Sequence, residues 1–459
     1  MPDPEDEALL ADAAGRALRY LAALDDRPVA APAAAIAALR EALAAPLPDA
    51  PSRPAEVLDF VDRLGSPATV ASAGRRYFGF VTGGALPVTV ATAWLAAAWD
   101  QNSFSMTSSP AIALFEDAAL RWLAEALRLP DARAGAIVTG ATMANLTCLA
   151  AARHHVLAQL GWDVEAQGLA GAPPLTVIAG EEAHSSLRKV VGILGLGRDR
   201  MVLVPPDDQG RMRAEAVPDI TGPTILCLQA GNVNSGAFDP AEAIIPRARA
   251  AGAWVHVDGA FGLWAAASPR LAPLMAGFEA ADSWATDAHK QLNVPYDSGA
   301  ALVRHPEALK TAMSLAAAYL PPSADRDAID WTPDSSRRAR ALEVWVALKA
   351  FGRTGLAELV ERCVGHAQRA AAALAAGGVE VLNHVVFNQV VVAFGDDATT
   401  RRVIEAVQQS GTCWCGGTVW RGRTAMRISF SSWATTDEDV DASMAAILAA
   451  FRQRASRSS

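Results

Sequence analysis

Two residues in this chain have the type and the setting to do chemistry together. Lys290 lies in Asp287-Ala288-His289-Lys290-Gln291; a mixed apolar run from Ala281 leads in, and the turn Pro295-Tyr296-Asp297-Ser298-Gly299 leads out to the strand-like run Ala300–Val303. The pattern places the lysine on a tight connection between two strands, although a lysine taken alone is usually a solvated surface residue. Upstream, Trp254-Val255-His256-Val257-Asp258 reads as a buried strand that ends on a carboxylate and runs into Gly259-Ala260-Phe261-Gly262. A carboxylate at the carboxyl end of a strand points into the crevice where open α/β sheets bind ligands. Pyridoxal 5′-phosphate (PLP) requires this pair of groups: an amine to form a Schiff base with its aldehyde, and a carboxylate to keep its pyridine nitrogen protonated so that the ring can act as an electron sink. Lys290 and Asp258 are therefore candidate catalytic residues, and PLP is the expected cofactor.

The elements around them read as alternating strands and helices. Strands are expected near Gly135–Val138, Leu175–Ala179, Met201–Val204, Thr224–Leu228, at the run ending on Asp258, at the run ending near Thr286, and at Ala300–Val303. Helices are expected at Pro87–Trp99, Ala111–Leu127, from about Ala141 to Leu160, from Ser185, and from Asp239. Such alternation implies a mainly parallel sheet covered on both faces, an α/β fold. In Val138-Thr139-Gly140-Ala141-Thr142 a strand gives way to a helix through small residues. The first N–H groups of that helix, at Ala141 and Thr142, make an anion site of the kind a phosphate uses, although a plain strand–helix turn looks the same.

The motifs quoted so far, His-Val-Asp-Gly-Ala and Asp-Ala-His-Lys, resemble those of the PLP-dependent amino-acid decarboxylases of the aromatic-amino-acid and glutamate decarboxylase group. Ala183-His184-Ser185-Ser186 matches a further motif of that family, as do Gly231 and Gly236-Ala237-Phe238-Asp239. A histidine at a helix start is by itself a cap or a satisfied core residue; the resemblance implies that His184 stacks on the cofactor ring and acts in catalysis. It also implies cofactor contacts from Ala141, Thr142 and His289 near the phosphate, and from Asn232, Asp258, Ala260, Asp287 and Lys290. Asn232 stands where the family usually has threonine, which points to a distinct bacterial subgroup. The glycine-rich segment Gly74–Gly84 resembles one that lines the substrate side of the pocket, making Thr82 a substrate candidate. Arg427 reads equally as a buried ion-pair partner or as a clamp for a substrate carboxylate.

The expected architecture is the fold-type-I PLP-dependent transferase fold. It has a helical N-terminal arm (1–73), a PLP-binding large domain with a mainly parallel sheet (74–351), and a small α+β C-terminal domain (352–459). The expected reaction is decarboxylation of an L-amino acid to its amine in a homodimer. Transamination, carbon–carbon lyase or aldolase chemistry and aldehyde-forming oxidative deamination are alternatives on the same scaffold, because fold and cofactor do not choose among them; a non-catalytic binding protein is the alternative from another class. Members of the family return a proton to the α-carbon from a tyrosine on a mobile loop after the lysine. Here the corresponding segment, Leu320–Trp331, contains no tyrosine; the chain has 4, and Tyr319 stands at the leading edge of that segment, a candidate for the substrate side.

Composition excludes several classes. The chain has 459 residues, 51% of them hydrophobic, enough for a large core and more than one domain. Its net charge of -9, without a long basic run, argues against nucleic acid or an anionic membrane as a partner. No apolar run reaches the length of a membrane span, and the opening Met-Pro-Asp-Pro-Glu-Asp-Glu is acidic where a signal peptide would be basic. The expectation is a cytoplasmic protein. The 5 cysteines fall mostly in apolar stretches, and Cys413-Trp414-Cys415 lacks the spacing of a structural zinc site, so no metal is expected.

Overall fold

Short runs rich in valine, isoleucine and alanine can cover only a strand's length, and where both faces of a sheet are buried they need no polar alternation. That is how the central sheet is built in the computed structural model, which describes residues 4–315 and 325–455. Of the described residues, one compact unit takes in the chain as far as Thr82 together with Arg369–Val381 and the chain from Val392; the other takes in Gly83–Gln368 and Leu382–Val391.

The first unit begins with three helices, α1 (Pro4–Ala22), α2 (Ala33–Ala42) and α3 (Pro54–Phe60), none of which has a buried residue. Polar contacts tie α1 to α3 and the turn after it: Arg16, which also reaches Asp12 of its own helix at 2.9 Å, lies 3.2 Å from Asp59 and 3.1 Å from Asp62. Leu10, Leu18, Leu43 and Leu47 stay exposed on this arm.

The second unit continues with α4 (Pro87–Trp99) and α5 (Pro110–Ala126), and then the strands β1 (Ala134–Val138), β2 (Thr176–Gly180), β3 (Val202–Val204), β4 (Thr224–Gln229), β5 (Trp254–Asp258), β6 (Ser283–Asp287) and β7 (Gly299–Val303). They form one seven-stranded sheet in the order β1-β7-β6-β5-β4-β2-β3. From β3 to β6 every pairing is parallel; β7 runs antiparallel to both β6 and β1. Every residue of β5, β6 and β7 is buried. Between β1 and β2 comes α6 (Ala141–Ala158), which packs across β5, β6 and β7. Its small side chains make both the helix and its close approach favourable: Ala144, Cys148, Ala151 and Ala152 have no exposed surface.

The short α7 (Val164–Gln167) and α8 (Ser185–Ile193) follow, then α9 (Ala241–Ala250) and α10 (Pro306–Met313). The long helical run Arg340–Ala376 is broken at Gly352, where φ is 59° and ψ -172°, a left-handed conformation that glycine alone adopts readily. Towards the C-terminus lies a second sheet of β8 (Glu380–Val381), β9 (Gln389–Ala393), β10 (Gly416–Trp420) and β11 (Arg423–Ser429), in the order β10-β11-β9-β8. Among the described residues no helix is long and apolar enough to cross a membrane.

Candidate active site

Because β4, β5 and β6 run parallel, their carboxyl ends open on the same edge, and Gln229, Asp258 and Asp287 are the last residues of the three strands. Side chains two apart on a strand share a face. On β5 that face carries Trp254, His256 and Asp258, and on β6 it carries Ser283 and Asp287, the face that α6 covers: Asn145 of α6 bonds both His256 and Asp258. The sheet edge and the start of α6 therefore bring the expected residues together.

Lys290 leaves the end of β6 on the connection to β7. Its Nζ lies 2.9 Å from Asp287 Oδ2 and 5.8 Å from the centre of the Phe261 ring. The other oxygen of Asp287 accepts the N–H of Ala141, the first residue of α6. The N–H expected to await a phosphate thus already holds a carboxylate, at the positive end of a helix that favours one; Thr142 is exposed beside it. Close approach here depends on glycine: a Cβ at Gly140, where φ is 156°, would stand 3.1 Å from both Asp287 Oδ1 and His289 Cε1, and one at Gly299 would meet Gly140 Cα at 2.6 Å. His289 is buried, accepts the Ser298 N–H at Nδ1 over 3.1 Å, and lies 3.4 Å from Asp287 through Nε2. Burial lowers its pKa, and the Asp287 carboxylate only partly offsets that.

Asp258 is 5% exposed. Its Oδ2 accepts the Asn145 Nδ2–H at 3.1 Å and its Oδ1 the Ala260 N–H at 3.3 Å. Burial pushes its pKa up, while the charges of His184 and Lys290 and then these two hydrogen bonds act against the rise. A carboxylate this deep requires a cationic partner to stay ionised. A pyridinium N–H at its free edge meets that requirement, so the donor set fits PLP: a buried carboxylate, an amine within the same unit, and a helix N-terminus flanked by a residue without a Cβ. His184 lies across the same cleft, which Gln229, Cys227 and Asp258 also line. It is the N-cap of α8, its Nδ1 accepting the Ser186 N–H at 3.3 Å and lying 2.7 Å from Ser186 Oγ. The cap and the cleft position therefore coexist in one residue.

The pyridoxal-dependent decarboxylase conserved domain matches residues 44–394. The chain belongs to that family. Tyrosine decarboxylase of Oryza sativa subsp. japonica is 32% identical to this decarboxylase-family chain over 366 residues, which cover 73% of this chain and 66% of the rice protein's own length. Among solved structures, Oryza sativa TDC with PLP and tryptamine superposes with a TM-score of 0.90 at 23% identity, covering 99% of both chains. Rhodiola rosea 4-hydroxyphenylacetaldehyde synthase superposes at 0.87 and 21% identity, over 98% of this chain and 99% of that one. These likenesses establish the fold, a decarboxylase-type fold-type-I architecture.

The other expected residues are placed as follows. Ala260 joins the two strand ends, since its carbonyl accepts the Asp287 N–H at 2.9 Å. Asn232 is buried and works within its own loop: Oδ1 accepts the N–H groups of Asn234 and Ser235 at 2.9 and 3.1 Å, and Nδ2 donates to Gln229 Oε1 at 3.2 Å. Thr82 and Arg427 belong to the other unit. Thr82 is buried, and Arg427 sits in β11 opposite Gly416, its guanidinium pKa lowered by burial. Tyr319 lies outside the described residues.

Three residues of this decarboxylase-family site were not singled out from the sequence: Asn145, His256 and Ser283, all without exposed surface. His256 Nε2 lies 2.9 Å from Asn145 Oδ1 and its Nδ1 2.9 Å from Ser283 Oγ. Burial pushes the His256 pKa down to about 3, so the ring is neutral. A signal existed: polar residues at Asn145 and His256 interrupt otherwise apolar stretches. Ser283 carried none, because its role depends on the pairing of β5 with β6.

Proposed function

We propose that this chain decarboxylates an L-amino acid to its amine, using PLP attached through Lys290. The observation that carries this reading is the pairing at one sheet edge of a buried carboxylate, Asp258, with an amine, the Lys290 Nζ, that Asp287 holds at 2.9 Å. Bound there, the cofactor supplies the electron sink for the pair of electrons that a departing carboxyl group leaves behind. Asp258 keeps the ring nitrogen protonated, and His184 stacks over the ring from the start of α8. Thr142 and His289 stand beside the phosphate at the start of α6, with Ala141, whose N–H Asp287 holds, and Asn232, Ala260 and Asp287 completing the cradle. Lys290 then has two tasks, attachment of the cofactor and proton transfer near it, and Thr82, Tyr319 and Arg427 are the candidates for the substrate side.

A cytoplasmic homodimer is part of the same reading. Exposed Leu10, Leu18 and Leu21 on α1, Ile36 on α2 and, in the second unit, Trp94, Leu95 and Trp99 on α4 are apolar surface that a second copy would cover.

A second reading has one specific observation in its favour. The segment Leu320–Trp331 has no tyrosine to return a proton to the α-carbon, so the alternative is oxidative deamination, in which dioxygen takes the two electrons and leaves as hydrogen peroxide while water releases ammonia and an aldehyde in place of the amine. Incubating the holoenzyme with a panel of L-amino acids and measuring carbon dioxide, amine, aldehyde and keto acid separates the two. Carbon dioxide with an equivalent of amine is the expected result. Aldehyde or keto acid as the main product overturns the decarboxylase reading.

A further inference from the structure

Behind Asp258, on the side away from the cleft, runs a chain of buried polar groups. Asn145 Nδ2 is 3.1 Å from Asp258 Oδ2, and Asn145 Oδ1 is 2.9 Å from His256 Nε2. His256 Nδ1 is 2.9 Å from Ser283 Oγ, which is also 2.9 Å from Trp254 Nε1. Asn145, His256 and Ser283 have no exposed surface and Trp254 has 1%, so bulk water does not reach any of them.

The direction of every bond follows from the first. An ionised carboxylate only accepts, so Asn145 must turn its amide N–H groups toward Asp258, which leaves its oxygen facing His256. That oxygen also only accepts, so the proton of the neutral imidazole sits on Nε2 and the lone pair on Nδ1. Ser283 must then donate its hydroxyl to Nδ1, and its own oxygen is left to accept the indole N–H of Trp254, which can only donate. Turning the Asn145 amide over would set its oxygen against the carboxylate and its N–H groups against the imidazole N–H. The first conflict is removed only if Asp258 takes up a proton, and the second only if the imidazole proton moves to Nδ1.

We propose that Trp254, Ser283, His256 and Asn145 form a one-way hydrogen-bond relay whose function is to hold Asp258 ionised and fixed in orientation toward the cofactor's ring nitrogen. This rests on the reading that Asp258 faces that nitrogen. The four are positioning residues: each donor is polarised by the one behind it, and the last aims at the carboxylate, where a hydrogen bond to a charged acceptor is worth more than one between neutral groups. The neutrality of His256 fits the arrangement, since a second proton on Nδ1 would meet the Ser283 hydroxyl and break the order of donors. A merely structural network would tie α6, β5 and β6 together without setting the protonation of Asp258.

The test uses the full-length protein, with and without PLP. Nitrogen-15 NMR of labelled histidine reports which ring nitrogen of His256 carries the proton; the Nε2–H tautomer is expected in the wild type, and the Nδ1–H tautomer overturns the relay. Absorbance titration gives PLP affinity. Ser283→Ala, which touches neither Asp258 nor the cleft, is expected to weaken PLP binding severalfold, with Ser283→Thr restoring it. Asn145→Leu, which removes the bond to the carboxylate itself, should weaken binding by about ten- to a hundredfold. If Asn145→Leu fails to fold, Ser283→Ala still decides: lower thermal stability with unchanged PLP affinity means structural glue and overturns the proposal. The carbocyclic analogue of PLP, with CH in place of the ring nitrogen, tests the underlying reading. Wild type should prefer PLP to the analogue, and Ser283→Ala should narrow that preference. Equal wild-type affinity for both means that Asp258 does not face the nitrogen, a failure separate from the tautomer result.

Discussion

Holding an uncharged imidazole in the core has a consequence for stability that the structure sizes. The His256 pKa falls from an ordinary 6.5 to about 3 because burial disfavours the charged ring. The unfolded chain therefore takes up a proton below pH 6.5 that the folded chain refuses until about pH 3. Stability contributed by this residue is fully present above the unfolded value and is lost as pH falls toward the folded one. With one pKa unit equal to about 1.4 kcal/mol, going from about pH 7.5 to about 4.5 removes roughly 2.5 kcal/mol. Other buried groups oppose it: Asp239, raised to about 6 by burial, gains stability as pH falls through the same range. The measurement is therefore a difference. His256→Gln keeps an amide to bond with Asn145 and Ser283 but cannot take up a proton, so its urea-unfolding free energy lacks the histidine's share of the pH dependence. Wild type should lose roughly 2.5 kcal/mol more than His256→Gln between the two pH values. If both lose the same amount, or the variant loses more, His256 is not held neutral and the reasoning fails.

Further outcomes follow from named contacts. Lys290→Ala should fold normally but retain no covalently attached cofactor after borohydride reduction, read by intact-protein mass; retained label would remove Lys290 from its role. A Cβ at Gly83 would fall 1.9 Å from the Lys290 carbonyl oxygen, so Gly83→Ala must displace the lysine turn, costing about 1–3 kcal/mol of stability by denaturant midpoint and lowering PLP affinity as well. Glu116, 1% exposed, accepts from Arg337 at 2.9 and 3.2 Å, and Glu116→Gln leaves that buried guanidinium uncompensated; the expected loss is about 3–5 kcal/mol, and a change below about 1 kcal/mol would show that the pair is solvated.

The legible part of the site was the part in which residue type alone is informative. A lysine on a tight turn and an aspartate closing an apolar strand are each unusual where they stand, so Lys290 and Asp258 could be picked out without knowing any neighbour. The alternation of strands and helices likewise gave a mainly parallel sheet. What stayed hidden depends on register. Ser283 matters because β5 and β6 pair so that His256 stands opposite it, and Asn145 because α6 crosses that same face. Neither pairing has a sequence signature, since a serine at the start of a buried strand reads as filler. The antiparallel entry of β7 was hidden for a related reason: the short connection carrying Lys290 allows only an antiparallel return, but its turn residues by themselves do not specify a direction.

That short connection is also what makes the site possible. A parallel crossover after β6 would need a dozen or more residues and would carry the chain to the opposite edge of the sheet before it returned. The antiparallel turn instead keeps residues 288–298 at the edge where β5 and β6 end. There Lys290 can reach Asp287, and Asp287 can hold the first N–H of α6. The sheet then returns at Gly299, where only a residue without a Cβ clears the α carbon of Gly140. The reversal of one strand thus places an amine, a carboxylate and a helix N-terminus on a single edge, within reach of the Asp258 carboxylate that the buried network supports from behind.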